Sequence, residues 1–334
     1  MLSIIKRALP LLMAAVLLAG CGQTGNVGNM AQDPAEDEAY VEQVDMEVVE
    51  LEDEIVALAA APAAQQKLLM PTASGKQVAK DKKNRAKIDY SNIKDGYVMC
   101  QFSAATTKRL KVIVQGPTTK YTYDLTKGEW ETFPLSDGNG SYKVGIYENT
   151  SGTKYATVVT ASLKVTLKDE FAPFLRPNQY VDYEDAPDTI NQAEKLAGNE
   201  TDPMKKVEKI YDYVVKNFTY DYDKAKTVKS GYLPELDKVL KAKKGICFDY
   251  AALMAGMLRS QGVPCKLDVG YAGTVYHAWI SVWSEEEGWI NGAIFFDGTS
   301  WQRMDPTFAS TSKSSKAILK YIGDGSNYDT RYVY

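Results

Sequence analysis

Three residue types near the C-terminal end of this 334-residue sequence could do chemistry together. Cys247 lies in Gly245-Ile246-Cys247-Phe248-Asp249-Tyr250-Ala251, where a loop runs into a helical pattern. His277, the only histidine in the chain, follows thirty residues later, and Asp305 stands in Met304-Asp305-Pro306-Thr307. A thiol attacks a carbonyl only as thiolate, so its pKa has to fall from about 8.5, and the positive end of a helix does part of that work. An imidazole can take and return the proton, and a carboxylate can fix the tautomer of that imidazole. Cysteine, histidine and aspartate in this order therefore suggest a nucleophile, a base and an orienting acid.

The neighbouring residues say how these groups are positioned. Ala251, Leu253, Met254, Met257 and Leu258, with a break at Gly262-Val263-Pro264, predict a helix of about fourteen residues starting near Cys247. Gly245 lets the backbone come close just before the cysteine, and the first helical N–H groups are candidate oxyanion donors. Asp249 reads as a first-turn acid rather than a catalytic group. His277-Ala278-Trp279-Ile280-Ser281-Val282-Trp283 alternates, with Ala278, Ile280 and Val282 on the apolar side and His277 with Trp279 on the other. A second strand, Trp301 to Met304, ends before Pro306. If it pairs antiparallel with the first, Asp305 can face His277. Upstream, Thr201-Asp202-Pro203 reads as a helix start with Thr201 as the capping hydroxyl, followed by Val207, Ile210, Tyr211, Val214 and Phe218 on one face.

Taken together, Gly-x-Cys-x-Asp-Tyr-Ala at 245–251, Arg259-Ser260-Gln261-Gly262-Val263-Pro264, His277-Ala278-Trp279, Asp305-Pro306-Thr307 and the upstream Thr219-Tyr220-Asp221 resemble a transglutaminase-like domain of the bacterial type. The resemblance covers about residues 171 to 334, half of the chain, and implies a papain-like α+β scaffold. It also implies Cys247 as nucleophile, His277 as base and Asp305 as orienting group, acting on amide bonds through a thioester. Water or an amine can take the acyl group, so peptidase, deamidase and transglutaminase chemistry all stay open. No cofactor is implied. One histidine with scattered cysteines gives no metal-ligand spacing. The gap from His277 to Asp305 is longer than is common in the family, and 285–298 reads as an inserted β-hairpin. Cys265 stands where the family carries small residues and reads as structural.

The rest of the chain supplies context. Lys6 and Arg7 precede an apolar run too short to span a bilayer, and it ends Leu18-Ala19-Gly20-Cys21, which resembles a bacterial lipobox. The expected order is a signal peptide over 1–20, lipidation at Cys21, an acidic tether over 21–87, a β-sandwich of immunoglobulin or fibronectin type III kind over 88–168, and the transglutaminase-like domain over 169–334. Within the tether Val41, Val44, Val48, Leu51, Ile55 and Leu58 step at heptad spacing, but their flanks are acidic. The reading is a solvated, partly helical spacer on a monomer. Without 1–20, 37 basic residues face 43 acidic ones, which argues against nucleic acid as a partner. Three cysteines remain after Cys21. This is no disulfide framework, and Cys100 reads as a small buried strand residue. The expected protein is lipid-anchored at the outer face of the cell membrane with a peptide or protein substrate. The alternative is a catalytically silent surface protein that holds a cell-wall or host ligand.

Overall fold

The computed structural model describes residues 68–126, 128–285, 288–291, 294–296, 301–303 and 328–334. The expectations for the signal peptide, Cys21, the heptad segment and Asp305 lie outside these residues. The chain is a mixed α/β protein with substantial sheet content.

Its first half forms two four-stranded antiparallel sheets. One has the order β1 (Val78–Lys80), β2 (Ala86–Asp89), β3 (Tyr97–Phe102) and β6 (Glu131–Pro134). The other runs β5 (Lys120–Asp124), β4 (Leu110–Gln115), β7 (Gly140–Ser151) and β8 (Lys154–Val165). Period-two alternation sends Ile88, Val98, Cys100 and Phe133 from the first sheet, and Val112, Val114, Val144 and Ile146 from the second, into one apolar cluster. β1 and the first half of β2 fall where a tether to residue 87 was expected. The first sheet therefore begins about ten residues before that boundary, because Val78–Lys80 pairs with Lys87–Asp89.

The second half wraps a buried helix. α1 (Pro187–Ala197) and α2 (Pro203–Asn217) lead to a two-residue strand β9 (Thr219–Tyr220), a short helix α3 (Tyr222–Thr227) and α4 (Leu236–Ala242). β10 (Lys244–Gly245) then feeds α5 (Cys247–Ser260), every residue of which is buried. An all-round buried helix needs neighbours on every side. α1, α2 and α4 pack on it, and so do strands β11 (Cys265–Ala272) and β12 (Val275–Ser284). The sheet is completed by β13 (Gly288–Asn291) and β16 (Tyr328–Val333), in the order β13-β12-β11-β16.

Three local expectations are corrected. The cap of α2 is Asp202 rather than Thr201: its carboxylate accepts from Met204 N and Lys205 N at 2.8 and 3.3 Å. The insertion after β12 is two hairpins, not one. β13 folds back on β12, while β14 (Ile294–Phe296) pairs with β15 (Trp301–Arg303). For the same reason β15, the strand that precedes Asp305, pairs with β14 in a separate two-stranded sheet and not with the histidine strand.

Candidate active site

Cys247 is the first residue of α5, and the local fold explains why a helix starts there. β10 lies parallel to β9, with Lys244 opposite Thr219 and Gly245 opposite Tyr220. Asp221 N donates to Gly245 O at 2.8 Å, which fixes the turn on one side. On the other, a Cβ at Gly245 would meet Asp249 Cβ at 2.6 Å, so only glycine lets the chain pass this close to the helix. The first helical bond runs from Tyr250 N to Ile246 O. The N–H groups of Cys247, Phe248 and Asp249 thus stand outside the helical ladder, at the positive end of the helix.

Asp249 organises this turn. It is wholly buried, and its carboxylate accepts from Ile246 N at 2.8 Å, Lys224 Nζ at 2.6 Å and the Tyr232 hydroxyl at 2.5 Å. Lys224 Nζ also donates to the Tyr232 oxygen at 2.6 Å and lies 4.2 Å from the ring centroid. Burial, with the adjacent Asp249 charge, holds the Tyr232 phenol protonated well above its usual range. Asp249 is thus the first-turn acid that the sequence suggests, and a clamp as well. Lys224 and Tyr232 escaped the sequence reading because they lie 25 and 17 residues away on a segment without periodicity.

His277 sits on β12 opposite Gly270 of β11, is buried, and stacks on Trp279 with centroids 6.2 Å apart. Tyr328 of β16 meets Trp279 edge-on at 5.0 Å. Ala278, Ile280 and Val282 alternate with these residues and join the apolar cluster that contains α5. The helix that begins with Cys247 therefore packs along the strand that carries His277.

Asp268 is a buried acid on β11 that the sequence reading missed. Ser281 donates to its carboxylate at 2.5 Å, and burial pushes its pKa up to about 6. The other described cysteines, Cys100 and Cys265, are buried as well. Burial pushes the Cys265 thiol up to about 12 and raises that of Cys100 well above its usual value. Among the described residues no group of three or more His, Cys, Asp or Glu side chains could hold a metal ion.

Residues 190–306 match the family model of the transglutaminase-like superfamily, a span that runs from α1 through Asp305-Pro306. This stretch is a transglutaminase-like domain. A protein of Methanocaldococcus jannaschii, MJ1282, is 35% identical over 100 residues, covering 26% of this chain and 28% of its own. The protein-glutamine gamma-glutamyltransferase of Pseudomonas aeruginosa is 30% identical over 69 residues, covering 16% of this chain and 10% of its own. The chain thus spans less than a third of these relatives. Among solved structures, the periplasmic domain of TgpA from Pseudomonas aeruginosa superposes with a TM-score of 0.32 at 14% identity, over 75% of this chain and 99% of that one.

Proposed function

We propose that the protein is an exported, lipid-anchored thiol enzyme that transfers acyl groups from amides through Cys247, His277 and Asp305. The observation that carries this reading is Cys247 at the first residue of a buried helix, packed along the His277 strand inside the transglutaminase-like domain. His277 takes the thiol proton, and the thiolate forms a C–S bond to the amide carbon. The oxyanion so formed is held by N–H groups of the first turn of α5. His277 then protonates the leaving nitrogen as the C–N bond breaks, which leaves a thioester. Water or an amine, deprotonated by His277, displaces the sulfur and releases the acid or a new amide. Asp305 orients the imidazole. Cys21 carries the anchor, and the paired sheets act as an immunoglobulin- or fibronectin-like spacer that sets the domain off the membrane.

Iodoacetamide labelling at neutral pH tests the thiol. Cys247 is expected to label while Cys100 and Cys265 stay unmodified, and His277→Ala slows the reaction at least tenfold. Equal labelling of the three, or no effect of His277→Ala, removes the basis of the reading. The anchor is tested separately: Cys21→Ala moves the protein from the membrane to the soluble fraction. A second reading, a silent binding protein, draws on the complete burial of Cys247. Rapid labelling counts against it.

A further inference from the structure

The segment that leads into Cys247 has a charge of its own. In a chain of net charge −4, residues 221–244 hold seven lysines against four carboxylates. Some of these charges are matched: Lys224 by Asp249, Lys244 by Asp221 at 3.2 Å, and Lys238 by Glu235 at 2.5 Å. Asp237 is occupied by the Thr189 hydroxyl and by the N–H groups of Asp188 and Thr189. Lys226, Lys229, Lys241 and Lys243 stand exposed on the same segment, with Asp223 as the exposed carboxylate among them.

Two of these residues are presented in an unusual way. Lys243 ends α4 with φ 50° and ψ 35°, a left-handed conformation normally taken by glycine. Only it and Asn84 adopt positive φ among the described non-glycine residues. Strain of this kind, four residues before the thiol, keeps a cation where glycine would be easier to hold. Tyr222 is 46% exposed, and it and Leu69 are the only exposed large hydrophobic residues among those described. Its ring rests edge-on against Tyr220 at 5.0 Å, and Tyr220 is the register partner of Gly245. The segment cannot drift, because Lys224 and Tyr232 are both fastened to Asp249 on the nucleophile helix.

We propose that Tyr222 and Lys243 form a specificity-determining rim, and that the acyl donor is an acidic peptide segment carrying an aromatic or other apolar side chain. The ring packs on that side chain while the unmatched lysines face its carboxylates. This inference rests on Cys247 being the attacking thiol.

The local potential can be read without a known substrate by alkylating Cys247 with anionic iodoacetate and with neutral iodoacetamide. Each rate is assigned on the Cys247 peptide by mass spectrometry and divided by that of glutathione. The normalised iodoacetate-to-iodoacetamide ratio is expected to exceed one and to fall toward one in 1 M salt. Lys243→Gly keeps the left-handed backbone, so it should lower the ratio about threefold. A random Glu-Tyr copolymer should protect Cys247 from iodoacetamide more than a Lys-Tyr copolymer, and Tyr222→Ser should remove the difference. No labelling by iodoacetamide sinks the thiol reading itself. Labelling with a ratio at or below one, a ratio indifferent to Lys243→Gly, or equal protection by the two copolymers sinks this inference alone.

Discussion

Asp249 and Asp268 are both buried carboxylates, but the partners around them differ. Asp249 accepts three hydrogen bonds, one from an ammonium, and the first turn of α5 lies over it. Removing it strands Lys224 and the Ile246 N–H, so Asp249→Ala is expected to cost about 3 kcal/mol in urea unfolding. Asp268 has Ser281 as its one short hydrogen-bond partner, and burial raises its pKa from 3.8 to about 6. Between those values the folded state keeps a proton that the unfolded chain has released. The contribution of Asp268 is therefore complete below about pH 4 and is lost as pH rises toward 6. A shift of roughly two units corresponds to about 3 kcal/mol. Asp268→Asn should thus be more stable than the parent at pH 7.5 by 1–3 kcal/mol, and this advantage should vanish at pH 4. A constant difference across that range would mean the carboxyl is ionised in the fold.

At the scale of elements, what the sequence disclosed depends on whether a pattern is local. α5 was legible from its apolar spacing and its Gly-Val-Pro stop, and the face of β12 that holds His277 was legible from alternation. α1 was not, because Pro187–Ala197 buries only Thr189, Ala193 and Ala197 and so lacks a stripe of large apolar residues. Two-residue strands such as β9 and β10 have no period to read. β16 pairs with β11 across nearly sixty residues of sequence, and only Gly270 hints at it. A Cβ there would meet Asp329 O at 2.0 Å, where the register between β11 and β16 shifts. Gly270→Ala must therefore push β16 away from β11, opposite the position of His277. The expected result is a loss of at least 2 kcal/mol and faster hydrogen exchange at the amides of 328–334, with α2 still protected. Unchanged exchange in β16 would show that the strand gives way without cost.

For the molecule as a unit, the decisive feature is a cluster of rings between the sheets and the helix that begins with Cys247. Tyr121 and Tyr123 of β5 meet Tyr334 edge-on at 5.7 and 5.8 Å, and Tyr180 meets Tyr334 at 4.3 Å and Tyr123 at 5.6 Å. Tyr180 also touches Phe248 at 5.5 Å, and Phe248 directly follows the proposed nucleophile. Polar ties cross the same boundary. Gln179 Nε2 donates to Asp124 O at 2.6 Å and to Glu131 at 2.7 Å, while Arg176 pairs with Asp95 at 3.1 Å. Aromatic pairs contribute about 1 kcal/mol each beyond the area they bury. A joint this dense is stiffer than the small, polar contacts that usually leave domains free to move. The full chain should therefore unfold in one calorimetric transition for residues 68–334, with van't Hoff and calorimetric enthalpies in agreement. Tyr180→Ala removes the ring common to both sides and is expected to cost 3–5 kcal/mol. Because Tyr180 also supports Phe248, the same variant should slow iodoacetamide labelling of Cys247. Two transitions in the parent protein, or labelling indifferent to Tyr180, would mean that the sheets are an appendage with no hold on the thiol.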